Sequence, residues 1–66
     1  MINIYEMYII MIRNGINKKS IKELESIKEV INLLPMKYFI EEKITLTQAK
    51  ELTDMIEENI RLMEGE

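Results

Sequence analysis

The chain contains no cysteine, histidine or tryptophan, and only two glycines and one proline among its 66 residues. Without cysteine or histidine it has no disulfide, no thiolate nucleophile, no imidazole proton shuttle and no Cys/His zinc site. Two glycines are too few for a glycine-rich phosphate-binding loop. An enzyme would have only carboxylates, lysine, serine, threonine and tyrosine for catalysis. We therefore predict no enzymatic activity, no cofactor and no metal.

Positive charge is also in deficit, with a formal net charge of -3 and a sequence pI near 5.0. Binding to nucleic acid or anionic lipid without sequence preference requires a positive field, so we expect neither partner. Long hydrophobic runs are missing as well. The longest uninterrupted apolar run, residues 7–12, is too short to cross a bilayer or to act as a signal peptide, and we expect no membrane span.

The length of the chain predicts a single small domain, 1–66, with one thin core. The free energy gained by apolar burial and the entropy lost on ordering are each on the order of 100 kcal/mol, so the expected stability is near zero. Disulfides and zinc sites, which stabilise many small domains, are excluded here. Self-association is the remaining way to bury more apolar surface.

Helical signals dominate the chain. Apolar residues recur at helical spacing in the second and last segments, and the first segment is almost entirely apolar. We predict an all-α fold, a small bundle of three to four short helices at 2–13, 20–34, 36–43 and 46–63.

Helix ends are marked by a few residues of known preference. We expect Gly15 to end the first helix as a C-cap with a positive φ. Ser20 with Glu23, and Thr45 with Gln48, have the spacing of capping boxes at the starts of the second and last helices. Pro35 is expected to end the second helix and to serve as the first residue of the third. The third helix is expected to turn three apolar side chains inward, namely Tyr38, Phe39 and Ile40.

Both terminal helices carry apolar arcs that are wider than their neighbours are expected to cover. In the last helix two apolar stripes lie on either side of Asn59. A buried Asn in a coiled-coil seam sets the register, whereas at an edge its amide would lie in water. We predict that these arcs form an interface with another copy or another protein, through Ile9, Met55, Ile56, Asn59, Ile60 and Leu62.

A basic patch surrounds the predicted first turn between helices. Such a cluster beside two helices has the outline of a helix-turn-helix motif, or it can dock on an acidic protein partner. The second helix also carries Glu23, Glu25 and Glu29, which repel phosphate. DNA binding is therefore the minor alternative. The patch consists of Arg13, Lys18, Lys19 and Lys22.

Several short motifs follow one another in a characteristic order: YEMY at 5–8, IRNG at 12–15, FIEEKITLTQ at 39–48 and EL at 51–52. This order resembles short helical proteins from the tail and lysis modules of tailed bacteriophages and prophages, a group that includes the XkdX-like proteins. The resemblance implies a phage-related, non-enzymatic, protein-binding role. It supplies no catalytic residues.

The leading hypothesis is a structural accessory or interaction protein that acts as a homo-oligomer or as part of a tail-like particle. Its expected location is then the cytoplasm of a bacterial host or the virion. The alternative is a small acidic regulator that docks an acidic helical face on a basic surface of a host or phage protein. In both hypotheses the partner is a protein.

Overall fold

The computed structural model describes residues 3–65, and these form helices joined by short turns, with no strand among them. This confirms the all-α prediction. The predicted start of the first helix at residue 2 lies outside the described residues. The observed helices are α1 (Ile4–Asn17), α2 (Ile21–Asn32), α3 (Met36–Ile40) and α4 (Leu46–Glu64).

The first helix begins and ends differently from the prediction. The side chain of Asn3 caps it by accepting a hydrogen bond from the Glu6 N–H at 2.8 Å. At the other end, α1 continues through Gly15, which has no positive φ. The left-handed residue is Lys19, with φ 53. The predicted C-cap at Gly15 was therefore wrong.

Two backbone hydrogen bonds define this helix end. The Ser20 N–H donates to the Gly15 carbonyl, and the Lys19 N–H donates to the Ile16 carbonyl, both at 3.0 Å. This is the Schellman arrangement, which satisfies carbonyls that the last helical turn leaves free. It places the turn later than expected because Gly15 is needed inside the helix.

Gly15 is needed there for packing. It is buried, and a Cβ added to it would lie 2.8 Å from Leu24 Cδ2, inside van der Waals contact. Leu24 is itself completely buried. The missing side chain at Gly15 thus allows α1 and α2 to approach closely just before the turn that joins them.

Of the two predicted capping boxes, one forms completely and the other forms only in part. The Thr45 box is complete, since the Thr45 hydroxyl accepts from the Gln48 N–H at 3.0 Å and the Gln48 side chain accepts from the Thr45 N–H at 3.1 Å. At Ser20 the hydroxyl accepts from the Glu23 N–H at 3.2 Å. The reciprocal bond is absent because the Ser20 N–H already donates to the carbonyl of Gly15.

The segment around Pro35 is shorter than predicted. Pro35 is the N-cap of α3 rather than its first helical residue, and α3 ends at Ile40 in a second Schellman turn, whose left-handed residue is Glu42 with φ 58. Tyr38 and Phe39 are half-buried, as expected. Ile40 was expected inside, but it is 74% exposed because five residues of helix turn only part of their surface toward the core.

The core lies where the three long helices meet, each of them packing against the other two. Ile44 belongs to this core although it lies outside the helices, where helical spacing gives no signal of burial. It directly precedes the N-cap Thr45, at the position of a hydrophobic staple. Among residues 3–65 the buried hydrophobic side chains of this core are Tyr8, Ile12, Leu24, Ile27, Ile31, Ile44, Leu52 and Ile56.

We expect Gly15→Ala to destabilise the protein by about 1 kcal/mol, because overpacking against Leu24 outweighs the gain in helix propensity. Chemical denaturation followed by circular dichroism measures this. The matched control is Gly65→Ala, where the added Cβ meets nothing closer than 3.4 Å; its effect should stay within about 0.5 kcal/mol. A Gly15→Ala variant as stable as the wild type would contradict the packing role of Gly15.

Candidate interaction surfaces

The candidate site of this protein is on its surface. Within residues 3–65 no polar or charged side chain is buried, and no group of three or more acidic side chains is placed to hold a metal ion. No helix in this part of the chain combines the length and the hydropathy that crossing a membrane requires. The features that remain are exposed apolar side chains and the pattern of surface charge.

The predicted interface is largely occupied by the protein itself. Ile56 is completely buried in the core, so its assignment to an interface was wrong. Ile9, Met55 and Ile60 are half-buried and pack against the core. The reason is that α4 packs against both α1 and α2, so that two neighbours cover an apolar arc too wide for one.

The other two residues of the predicted interface differ in exposure. Leu62 is 56% exposed and remains accessible. Asn59 is half-buried, and its side-chain N–H donates to the Met55 carbonyl one turn earlier, at 2.8 Å. This hydrogen bond within α4 engages the amide nitrogen of Asn59 without any other chain.

A first exposed apolar surface lies on α1 and the adjoining edge of α2. We call it the α1 outer face. Beside it, a groove of about 280 Å³ runs between the two helices, with Ile27 as its apolar base and Asn14, Glu23 and Ser26 among its walls. Between 38% and 50% of each side chain of the face is exposed, and its members are Met7, Ile10, Met11 and Val30.

A second and more exposed apolar surface surrounds α3. We call it the α3 end. Its residues are 68% to 74% exposed, far more than those of the α1 outer face. Two of them, Met36 and Leu46, line a groove of about 430 Å³ with Phe39 at its side. The members of the α3 end are Leu33, Met36, Ile40 and Leu46.

Sequence reasoning missed the α3 end, although one signal for it was present. Met36 and Ile40 are four residues apart and therefore share one side of a short helix. Tyr38 and Phe39 instead pack against the core. A helix of this length cannot bury both sides, so one apolar pair had to remain in solvent.

The acidic side of α4 is mostly paired with cations of the same chain. Lys50 Nζ is 2.8 Å from Asp54 Oδ2, and this hydrogen bond, with the negative charge of Asp54, raises the pKa of Lys50. Lys28 of α2 reaches Glu57 at 2.9 Å. A further pair joins Arg61 to Glu58. The negative electrostatic potential of this side of α4 is therefore weaker than the number of its carboxylates implies.

Two tyrosines of α1 link the helices. Tyr8 is in the core, where burial and the nearby Tyr38 raise its pKa. The hydroxyl of Tyr5 donates to Glu51 Oε2 of α4 at 3.3 Å, and partial burial together with the Glu51 carboxylate raises the pKa of Tyr5. Both phenols therefore stay protonated at neutral pH; Tyr8 acts as a packing group and Tyr5 as a hydrogen-bond donor.

The structure places the four residues of the basic patch, Arg13, Lys18, Lys19 and Lys22, on the surface around the α1–α2 turn. They do not form a purely positive area, because Lys18 Nζ lies 3.6 Å from the Glu23 carboxylate. In a helix-turn-helix arrangement α2 would enter the major groove, and its Glu25 and Glu29 are exposed.

We expect no DNA binding at physiological salt, because the carboxylates of α2 oppose the approach of phosphates. Fluorescence anisotropy with a labelled random duplex measures this, and the signal should not change at micromolar protein. Salt-dependent binding with submicromolar affinity, lost on replacing Lys19 and Lys22 by Glu, would contradict the expectation.

Comparison of the chain with protein-family models, with curated proteins and with solved structures finds no match. The resemblance to the XkdX-like group therefore rests on the short motifs of the sequence itself. Any functional interpretation of the fold depends on the exposed surfaces and their charges.

Proposed function

We propose that this chain is not an enzyme and that it functions by binding proteins. It acts either as a homo-oligomer or as an accessory part of a larger protein assembly. The observation that carries this proposal is the set of large apolar side chains left in solvent. Within residues 3–65 nine of them are between 38% and 74% exposed, and eight of the nine belong to the α1 outer face or the α3 end.

Clustering is what makes these side chains informative. Single exposed apolar residues are ordinary on protein surfaces, whereas adjacent ones mark an interface or an aggregation hazard. Met7, Ile10 and Met11 are adjacent on one side of α1 because they are three and four residues apart. At the α3 end, Met36 and Leu46 line the same groove although they come from different helices. Each surface thus contains apolar side chains that lie next to one another.

A place in a phage-type tail-like particle is part of this proposal, and its support is the resemblance of the motifs at 5–8 and 39–48 to the XkdX-like group. The bacterial cytoplasm or the virion is then the proposed location. Such particles are built from repeated protein contacts, for which a small helical unit with two separate apolar patches is well suited. Each patch can contact a different neighbour.

The alternative, an acidic regulator that docks on a basic surface, receives less support. Such a regulator needs free carboxylates on one side. On α4 the carboxylates of Asp54, Glu57 and Glu58 each contact a cation of the same chain. A basic partner would have to displace these cations or compete with them.

Sedimentation equilibrium tests the proposal on the purified chain. We expect the average mass to rise above the monomer between micromolar and millimolar concentration. Ile10→Glu on the α1 outer face or Ile40→Glu at the α3 end should lower that mass while changing the free energy of unfolding by less than about 0.5 kcal/mol, since both side chains are exposed. The matched control is Thr47→Glu, an exposed position outside both patches.

A monomeric mass at every concentration, with both variants indistinguishable from the wild type, would contradict the homo-oligomer. Association that both variants leave unchanged would place the contact outside the two patches and contradict the assignment of the surfaces.

A further inference from the structure

The outward side of α1 has the spacing of a coiled-coil seam. The residues of this side are spaced alternately four and three positions apart. The central pair is apolar, and the outer members are asparagines that lie toward the helix ends. The seam consists of Asn3, Met7, Ile10, Asn14 and Asn17, of which Met7 and Ile10 are 43% and 45% exposed.

Two opposite charges lie along one flank of this seam. Glu6 and Arg13 are exposed and seven residues apart, which places them on the same side of α1 about 10 Å from each other. Within residues 3–65 neither takes part in an ion pair. From the side chains of these residues the Glu6 carboxylate accepts one hydrogen bond, a long one of 3.4 Å from Asn3.

The opposite flank of the seam is apolar. Met11 lies there, next to the groove that it shares with Val30 of α2. Met11 is 38% exposed and Val30 is 50% exposed. The α1 outer face therefore has an apolar centre, one apolar edge and one edge that carries a negative and a positive charge.

We propose that a second copy of this chain covers the α1 outer face, with the two α1 helices antiparallel about a two-fold axis between Met7 and Ile10. In this arrangement the Glu6 carboxylate of each copy faces the Arg13 guanidinium of the other, so the pair forms twice. Met7 of one copy packs against Ile10 of the other. This inference rests on the proposed function and names the partner and the geometry for one of its two surfaces.

Charge complementarity selects the antiparallel arrangement. In a parallel pair, a residue on this flank faces the residue five positions later in the other copy. Arg13 would then face Lys18, which is a like charge, and Glu6 would face Met11. The antiparallel pair replaces both contacts by ion pairs of opposite charge. A two-fold axis also uses the same patch on both copies, as closed dimers do.

The α3 end exposes more apolar surface, but nothing beside it specifies an occupant. The α1 outer face consists of four side chains that are at most half-exposed, and a patch of this size buries less than the roughly 800 Å² per partner of a standard stable interface. We therefore expect a weak dimer that dissociates in the micromolar to millimolar range.

A charge-swap series measured by sedimentation equilibrium tests the geometry. Glu6→Arg and Arg13→Glu should each raise the dimer dissociation constant by roughly tenfold, because each replaces two attractive contacts by repulsive ones. The double variant with both changes should restore wild-type dissociation. Glu6 is in the first turn of α1, where its replacement also weakens the helix, so rescue by the second change isolates the intermolecular contact.

The matched controls are Glu29→Arg and Lys43→Glu, which make the same charge changes at exposed positions away from this flank. The dimer dissociation constants of these controls should stay within about twofold of the wild-type value. Added salt should raise the dimer dissociation constants of the wild type and the double variant alike, because both dimers depend on the ion pairs.

Three outcomes would overturn the inference. Association that both single variants leave unchanged would exclude the α1 geometry while leaving self-association in place. Loss of association in the single variants without rescue in the double variant would exclude the Glu6–Arg13 pairing. A monomeric mass at every concentration would contradict this dimer and also the homo-oligomer in the proposed function.

Discussion

The close approach of α1 to α2 at Gly15 is the contact on which the rest of the structure depends. Because no side chain stands at this position, Leu24 fills the space beside the helix and is completely excluded from solvent. The turn that follows is short, and one of its backbone hydrogen bonds, from the Ser20 N–H, returns to the Gly15 carbonyl. The angle and separation of α1 and α2 are therefore fixed at the point where the chain reverses, and α4 packs on the pair.

This arrangement determines which surfaces are exposed. The long helix α4 has two neighbours, so most of its apolar arc is covered, including Ile56 and the half-buried Met55 and Ile60. The helices α1 and α2 meet each other and α4 on one side only. Their outer sides keep apolar residues in solvent, and so does α3, which has no buried residue of its own. The two exposed patches follow from a core with only three long helices.

The sequence predicted best those features that depend on neighbouring residues. The Thr45 capping box forms as expected because all its hydrogen bonds lie within four residues. Asn-Gly at 14–15 is an equally good local signal for a helix end, yet here packing against Leu24 keeps Gly15 inside the helix. Local preference and tertiary contact act on the same residue, and only the structure shows which one prevails.

The candidate site was harder to predict for a related reason. A helical wheel gives the width of an apolar arc but not the part of it that neighbours cover, so Ile56 was assigned to an interface and Ile44 was missed. Exposure at Met36 and Ile40 depends on α3 ending after five residues, which in turn depends on the left-handed conformation of Glu42. The charges at Glu6 and Arg13 become informative only once their flank of α1 is known to be free.

The central claim is that one chain folds on its own and leaves the α1 outer face for a second copy. The most direct measurement is the amide NMR spectrum of the protein recorded from micromolar to millimolar concentration. The account predicts a dispersed spectrum at the lowest concentration, with concentration-dependent shifts at Met7, Ile10 and Met11. A collapsed spectrum at low concentration, or shifts confined to the α3 end, would contradict it.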